Sequence, residues 1–212
     1  MRVPQLVVPA GGGVLALRAL RRRDAAAWRE VRARNVAWLG PWEATVPPES
    51  DEPVPTYGQM VAKFRVESRA DRMLPWAMTF NGRLVGQLTV AGITWGSLRA
   101  GSIGYWIDAQ VAGRGLTPTA VALAIDHCFG VVQLHRIEIV IRPENLASLR
   151  VVQKLGMRHE GSRPQFLHID GAWRDHEVFA VHADEVPDGM LSRWRARSQA
   201  ERPAPPGLDP ER

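Results

Sequence analysis

Apolar residues recur along the chain at two spacings, and the changes of spacing mark its elements. Residues 14–17 read as a first strand. Asp24 is placed to cap a helix reaching about residue 37, with Ala25, Trp28, Val31 and Arg32 at helical spacing. A second helix is predicted over 57–67, followed by β-like runs at 74–80 and 84–93; Asn81-Gly82 between them is a strong hairpin signal. Residues 103–107, rich in β-branched and aromatic side chains, predict a strand, and the apolar run 120–129 predicts a helix. Residues 136–142 alternate as a buried strand. In 145–155, Leu146, Leu149, Val152 and Leu155 share one helical face, with Gly156 at the C-cap. Two late strands, 163–169 and 177–182, are joined by Asp170-Gly171. The order β-α-α-β-β-β-α-β-α-β-β describes an α+β domain with a central mixed, mostly antiparallel sheet flanked by helices. Its hairpins supply antiparallel pairs and its strand-helix-strand unit a parallel one.

Two segments fall outside this rhythm. The connection 38–55 is dense in proline and acid and contains Trp38, Leu39, Pro41, Trp42 and Glu43; a loop of that length is either functional or disordered. From Asp184 onward, Pro187, Pro203, Pro205, Pro206 and Pro210 with mixed charge predict a disordered tail over 184–212, leaving residues 1–183 as the domain.

Composition narrows the class. A chain of 212 residues, 45% hydrophobic and 23% charged, is a soluble globular protein of one domain. No apolar run approaches the roughly 18 residues of a membrane span, and no signal-peptide layout opens the chain, so a cytoplasmic protein without membrane partners is expected. Cys128, the single cysteine, lies in an apolar helical run and reads as a buried inert thiol. The net charge of +5 suits polyanions, yet eight arginines fall within the first 35 residues against two acids. That cluster is either a solvated helix face or a surface turned to RNA or a ribosome.

Candidate chemistry concentrates in 104–119. A strand runs into a turn where Gly113 and Gly115 flank Arg114; Thr117 is placed as an N-cap and Pro118 as the first helical residue. Several free N–H groups and a helix dipole then converge on one spot, which suits an anion.

Over residues 10–183 the chain resembles the GNAT acyltransferase superfamily. The superfamily's acetyl-CoA loop, R/Q-x-x-G-x-G/A, is matched by Ala112-Gly-Arg-Gly-Leu-Thr117, with Ala112 and Thr117 as departures at the two ends. Within the superfamily the chain is most similar to the ribosomal-protein alanine N-acetyltransferases of the Rim type. Pro143-Glu-Asn-Leu-Ala-Ser148, Lys154-Leu-Gly-Met157 and Glu160-Gly161 resemble their second motif, Leu39-Gly-Pro-Trp-Glu43 their L-x-P-W-E segment, and Ile169-Asp-Gly-Ala-Trp-Arg-Asp-His176 their I-D-G-x-W-R-D-H ending.

The resemblance implies an acetyl-CoA-dependent N-acetyltransferase acting on a protein N-terminus, such as that of a ribosomal protein, by direct attack, with no metal and no direct need for nucleic acid. A monomer or homodimer is expected. The other acceptors it allows are a small-molecule amine or a lysine side chain, and a weakly catalytic acyl-CoA-binding module for ribosome assembly is the rival class. The implied donor site comprises Ile107, Gly113, Arg114, Gly115, Leu116, Thr117, Asn145 and Arg150. Asn145 equally suits a helix cap, and either arginine equally suits plain solvation. Ser148 is implied near the thioester sulfur. The tyrosine that many relatives carry one turn later is replaced by Val152. Glu138 and Glu43 are the candidate carboxylates; Glu138 either faces the cleft or forms an edge ion pair. Trp38, Trp42 and Tyr105 are the candidate acceptor pocket, with plain packing as the other reading of each, and His176 reads as structural.

Overall fold

The alternating runs assemble into one sheet. In the computed structural model, which describes residues 1–50 and 53–200, eight strands are joined in the order β1-β2-β3-β4-β5-β6-β8-β7. They are β1 (Leu6–Ala10), β2 (Gly13–Ala19), β3 (Leu74–Phe80), β4 (Arg83–Thr94), β5 (Ala100–Ile107), β6 (Arg136–Ile141), β7 (Arg158–Ile169) and β8 (Ala172–His182). Every neighbouring pair is antiparallel except β5 and β6. The helices are α1 (Ala25–Arg34), α2 (Val36–Leu39), α3 (Tyr57–Arg69), α4 (Leu116–Gly130), α5 (Leu146–Leu155) and α6 (Met190–Ala200). Both predicted tight turns form, with positive φ at Asn81 and Gly82 (48° and 80°) and at Asp170 and Gly171 (50° and 75°), as twisted hairpins require.

The period of two along each strand separates two cores. Leu15, Trp76, Leu88, Ile103 and Ile137 pack with α4 and α5 on one face. Leu20, Ala77 and Leu84 pack with Val31 of α1 and with Tyr57 and Val61 of α3 on the other.

β7 and β8 each begin five residues before their expected starts, and three further elements depart from the sequence expectation. β1 was not expected; it is a short edge strand carrying Pro9, which a sheet edge tolerates because no ladder donor is needed there. The first helix ends at Arg34, because Asn35 turns its side chain back onto the Val31 carbonyl (2.8 Å) and forward onto Asp108 (2.9 Å). The largest correction concerns the supposed tail. Its first part folds as α6, with Met190 and Trp194 buried against α4 and α5, while residues 201–212 lie outside the described residues. Asp126 of α4 holds the start of α6, its carboxylate accepting from the Met190 and Leu191 amides at 2.5 and 3.1 Å. This cover explains why α4 is apolar nearly all round.

The parallel pair positions the site. β5 and β6 are registered only at Ala100↔Arg136, Gly101↔Ile137 and Ser102↔Glu138, although both strands continue further. Their carboxyl ends diverge, and ligands of α/β sheets settle beyond such ends.

Candidate active site

The loop after β5 forms one wall of the opening. Gly113 and Gly115 take φ of 79° and 74°, a region where a Cβ is strained, and Gly115 is the N-cap of α4. The N–H groups of Gly113, Arg114 and Gly115 have no acceptor among the described residues. Those of Leu116 and Thr117 belong to the first turn, where a helix leaves its donors free. A Cβ placed on Gly113 would meet nothing within 4 Å, so the loop is open on that side. These features fit a phosphate group held by backbone amides.

The loop also corrects the motif register. The two left-handed residues are the glycines the pattern R/Q-x-x-G-x-G/A calls for, so Gln110 stands at its first position and Gly113 and Gly115 at its glycines. Ala112 and Thr117 are then not departures. Thr117 is buried in the second helical position and is not the cap; Pro118 follows it in the first turn, where a missing N–H costs nothing. Arg114 is committed elsewhere, donating to the Gly11 carbonyl at 2.6 Å and lying 4.6 Å from the centre of the Phe80 ring.

The start of α5 forms the second wall. Asn145 caps it, its side-chain oxygen accepting from the Ser148 amide at 3.0 Å. Its side-chain Nδ2 has no partner among the described residues, so capping and ligand contact are compatible there. Arg150 is exposed, and Val152 is fully buried in the core. Tyr105 shows the packing that was one of its two sequence readings. Its ring packs with the α4 and α5 core, whereas Trp106, its neighbour, packs with the α1 and α3 core. The Tyr105 hydroxyl is buried with no partner of hydrogen-bond geometry. Burial raises its pKa, and nearby Ser148 partly opposes that rise.

The tryptophan loop ties the diverging strands together. Trp38 Nε1 donates to the Ile107 carbonyl at the end of β5 (3.1 Å), and Arg142 at the end of β6 donates to the Pro41 carbonyl (2.8 Å) with its guanidinium 5.5 Å from the Trp42 ring centre. Glu43 is ion-paired with Arg32, whose guanidinium lies 5.4 Å from the ring centres of both Trp28 and Trp106. Glu138 sits on the β6 face opposite Ile137 and Ile139 and is held by Arg136 and Arg163, each at 2.9 Å. It is thus an ion-pair residue, the second of its two sequence readings. His176 is 3% exposed, sits on the Arg174 carbonyl at 3.0 Å, and has its pKa lowered by burial. The Cys128 thiol is buried, with its pKa pushed up to about 12 by desolvation.

Two supports escaped the sequence reading. Asp108, 2% exposed, accepts from Arg34 (2.5 Å), Asn35 (2.9 Å) and the Gln110 amide (3.2 Å), anchoring the end of β5 to α1. Burial alone would raise its pKa, but these donors, Arg34 first, hold it below the usual carboxylate value. Behind the amide loop, Trp194 of α6 donates to Thr119 Oγ1 (2.9 Å), which donates to the Gly115 carbonyl (2.8 Å). Polar residues in non-periodic positions gave no signal for either. Among the described residues no cluster of His, Cys, Asp and Glu could hold a metal ion, and no helix is long and apolar enough to cross a membrane.

An opened parallel pair, with free amides beyond one strand and a capped helix beyond the other, agrees with the family comparison: residues 15–158 match the acetyltransferase (GNAT) domain, and the chain belongs to that family. Within the family its relatives are specific. It is 30% identical over 181 residues to the [Ribosomal protein uS5]-alanine N-acetyltransferase of Escherichia coli (strain K12), covering 82% of this chain and 91% of that enzyme. The solved structure of Mycobacterium smegmatis RimJ in complex with CoA-disulfide superposes with a TM-score of 0.86 at 38% identity, over 93% of this chain and 98% of that one. The Probable N-acetyltransferase YjcK of Bacillus subtilis (strain 168) is 39% identical over 99 residues, which is 47% of this chain and 55% of that protein's length. The α+β sheet and the GNAT resemblance are borne out.

Proposed function

We propose that the chain transfers the acetyl group of acetyl-CoA to the α-amino group of a protein N-terminus, of the kind a ribosomal protein with Ala or Ser first presents. The observation that carries this reading is the cleft between β5 and β6, with unpartnered amides at Gly113, Arg114 and Gly115 on one wall and the Asn145 cap on the other. The reading is supported by a relative named for acetylating the alanine of ribosomal protein uS5 and by a similar structure that contains a CoA-disulfide. The protein meets its partner in the cytoplasm as a monomer or homodimer, with no membrane or nucleic acid required.

The amides of 113–117 hold the pyrophosphate, and Asn145 meets the peptide-like pantetheine arm. The acceptor nitrogen attacks the thioester carbonyl, a C–N bond forms, and the C–S bond breaks with its electron pair on sulfur. Ser148 donates a hydrogen bond to that sulfur. A thiol of pKa roughly 8.5 leaves tolerably as the thiolate, so no strong acid is needed.

The acceptor needs little base either. An α-amino group of pKa about 7.7–8.0 is roughly a fifth to a third neutral near pH 7.4, against about 0.1% for a lysine near 10.4. Glu43 has one cationic partner and Glu138 has two. Glu43 therefore keeps more acceptor capacity for the water that takes the proton.

Peptides beginning with Ala or Ser are compared by mass spectrometry with N-blocked lysine peptides and with spermidine, alongside CoA release. Acetylation confined to the α-amine is expected. Equal acetylation of lysine or spermidine overturns the acceptor assignment, and no CoA release with any acceptor overturns the enzyme reading in favour of a binding module.

A further inference from the structure

The Tyr105 hydroxyl is the one buried side-chain polar atom without a hydrogen-bond partner among the described residues. Such an atom costs stability, and native proteins retain few of them without a reason. It belongs to the half of β5 that has parted from β6, so it flanks the cleft. Its ring is fixed by the α4 and α5 core, and Ser148 of α5 is its polar neighbour. The Ser148 hydroxyl likewise has no partner meeting hydrogen-bond geometry among the described residues, because the Asn145 cap engages only its backbone amide. Ser148 is thus near enough to act on the buried Tyr105 hydroxyl, yet neither hydroxyl has a partner meeting hydrogen-bond geometry among the described residues. The position one turn beyond Ser148 holds Val152, a fully buried apolar residue with no proton to offer.

We infer that Tyr105 is a positioning residue for Ser148: its phenolic O–H donates to Ser148 Oγ and so turns the serine's own proton outward, toward the departing sulfur. This rests on the role given to Ser148 above. The serine then acts as acceptor from the ring and donor to the sulfur, and the two bonds polarise each other. Neither hydroxyl surrenders its proton. A phenol of ordinary pKa about 10 is a weaker acid than a thiol of about 8.5, and desolvation weakens it further, so transfer to the thiolate runs uphill. The amine proton leaves to water on the acceptor side, the thiolate departs hydrogen-bonded, and it is reprotonated by solvent.

Tyr105→Phe deletes the hydroxyl and keeps the ring. Steady-state kinetics, calorimetric acetyl-CoA binding and thermal melts are measured for Tyr105→Phe, Ser148→Ala and the double variant. Tyr105→Phe should lower kcat up to roughly tenfold, the upper end of what one neutral hydrogen bond is worth, with acetyl-CoA affinity unchanged and the melting temperature not lowered. The double variant should be no slower than Ser148→Ala, because the ring acts only through the serine. A normal kcat for Tyr105→Phe beside a slowed Ser148→Ala overturns the inference, as does a double variant slowed by the product of the two single effects. A normal kcat for Ser148→Ala overturns the prior assignment of the serine itself. A Tyr105→Phe defect confined to acetyl-CoA affinity overturns the positioning role in favour of a packing one.

Discussion

Replacing Trp194 tests whether α6 supports the donor site or merely covers the core. The indole is 7% exposed, and its N–H is the only donor drawn to Thr119 Oγ1 among the described residues, at 2.9 Å. Thr119 in turn holds the Gly115 carbonyl through both its hydroxyl (2.8 Å) and its amide (3.2 Å). A Cβ on Gly115 would stand 3.6 Å from the indole, so the ring backs directly onto the loop. Truncating a buried Trp to Ala costs about 3–5 kcal/mol. For a chain of this size each kcal/mol lowers the melting temperature by about 2–4 °C, giving a drop of about 6–20 °C. Trp194→Phe keeps most of the buried area and loses the hydrogen bond, about 1 kcal/mol and hence about 2–4 °C. If Gly115 is held by this chain of contacts, Trp194→Ala also raises KM for acetyl-CoA roughly tenfold at little change in kcat, since binding alone is weakened. Circular-dichroism melts and a thiol-release assay read both quantities. A fall in melting temperature with KM at the wild-type value would refute the support role, and a fall of less than about 3 °C would refute the burial itself.

Three further outcomes are expected. Gly113→Ala forces an L side chain to φ near 79°, costing about 1–2 kcal/mol, and stands a methyl group in the open amide cradle; Gly113→Asn relieves the strain but not the obstruction. Both should weaken acetyl-CoA binding by calorimetry, and normal binding by Gly113→Ala would remove the cradle. Asp108→Asn should lower stability at pH 7 by about 1.5–3 kcal/mol. Because the folded-state pKa of Asp108 is depressed, its contribution is fully present above about 3.9 and lost as pH falls through the lower folded value, so the gap between variant and parent melts should close below about pH 4. Cys128→Ala should leave turnover within about twofold, since a buried thiol with its pKa pushed up to about 12 is no nucleophile; loss of turnover in a folded variant would replace direct attack by a covalent route.

What the sequence made legible follows from local physics. Strand alternation, the Asn81-Gly82 and Asp170-Gly171 turns, and the Gly156 cap are set within a few residues, and each stands where it was expected. α6 was hidden because its own pattern is weak. Met190 and Trp194 supply one buried stripe amid Arg193, Arg195 and Arg197, and only the far apolar surface of α4 makes the helix worth forming. The acidic anchors were hidden for a related reason. Asp108 and Glu138 are ordinary carboxylates in sequence, and their roles come from Arg34 and Arg163, 74 and 25 residues away. The same distance effect answers the question of the basic amino-terminal cluster in part. Three of its eight arginines, Arg18 of β2 and Arg32 and Arg34 of α1, are ion-paired with Asp24, Glu43 and Asp108, so their charge is structural or screened.

The parting of β5 from β6 gives the remaining step from fold to chemistry. While two strands are paired, the faces of a sheet are sealed from each other and successive side chains serve separate cores, as Tyr105 and Trp106 do. Once β6 leaves the edge of β5 after Ser102, that edge is reached from both sides. On the proposed function, the thioester comes from the α4 and α5 side, where Tyr105, Ser148 and the amide loop stand. The amine comes from the opposite side, where Trp106, Arg32 and Glu43 stand. Gly104, exposed and with nothing within 4 Å of a virtual Cβ, leaves the backbone between them bare. A side chain at that position on the acceptor face would stand where the attacking nitrogen must approach. On the proposed function, the reaction depends as much on an absent side chain and an absent strand partner as on any residue that touches the substrate.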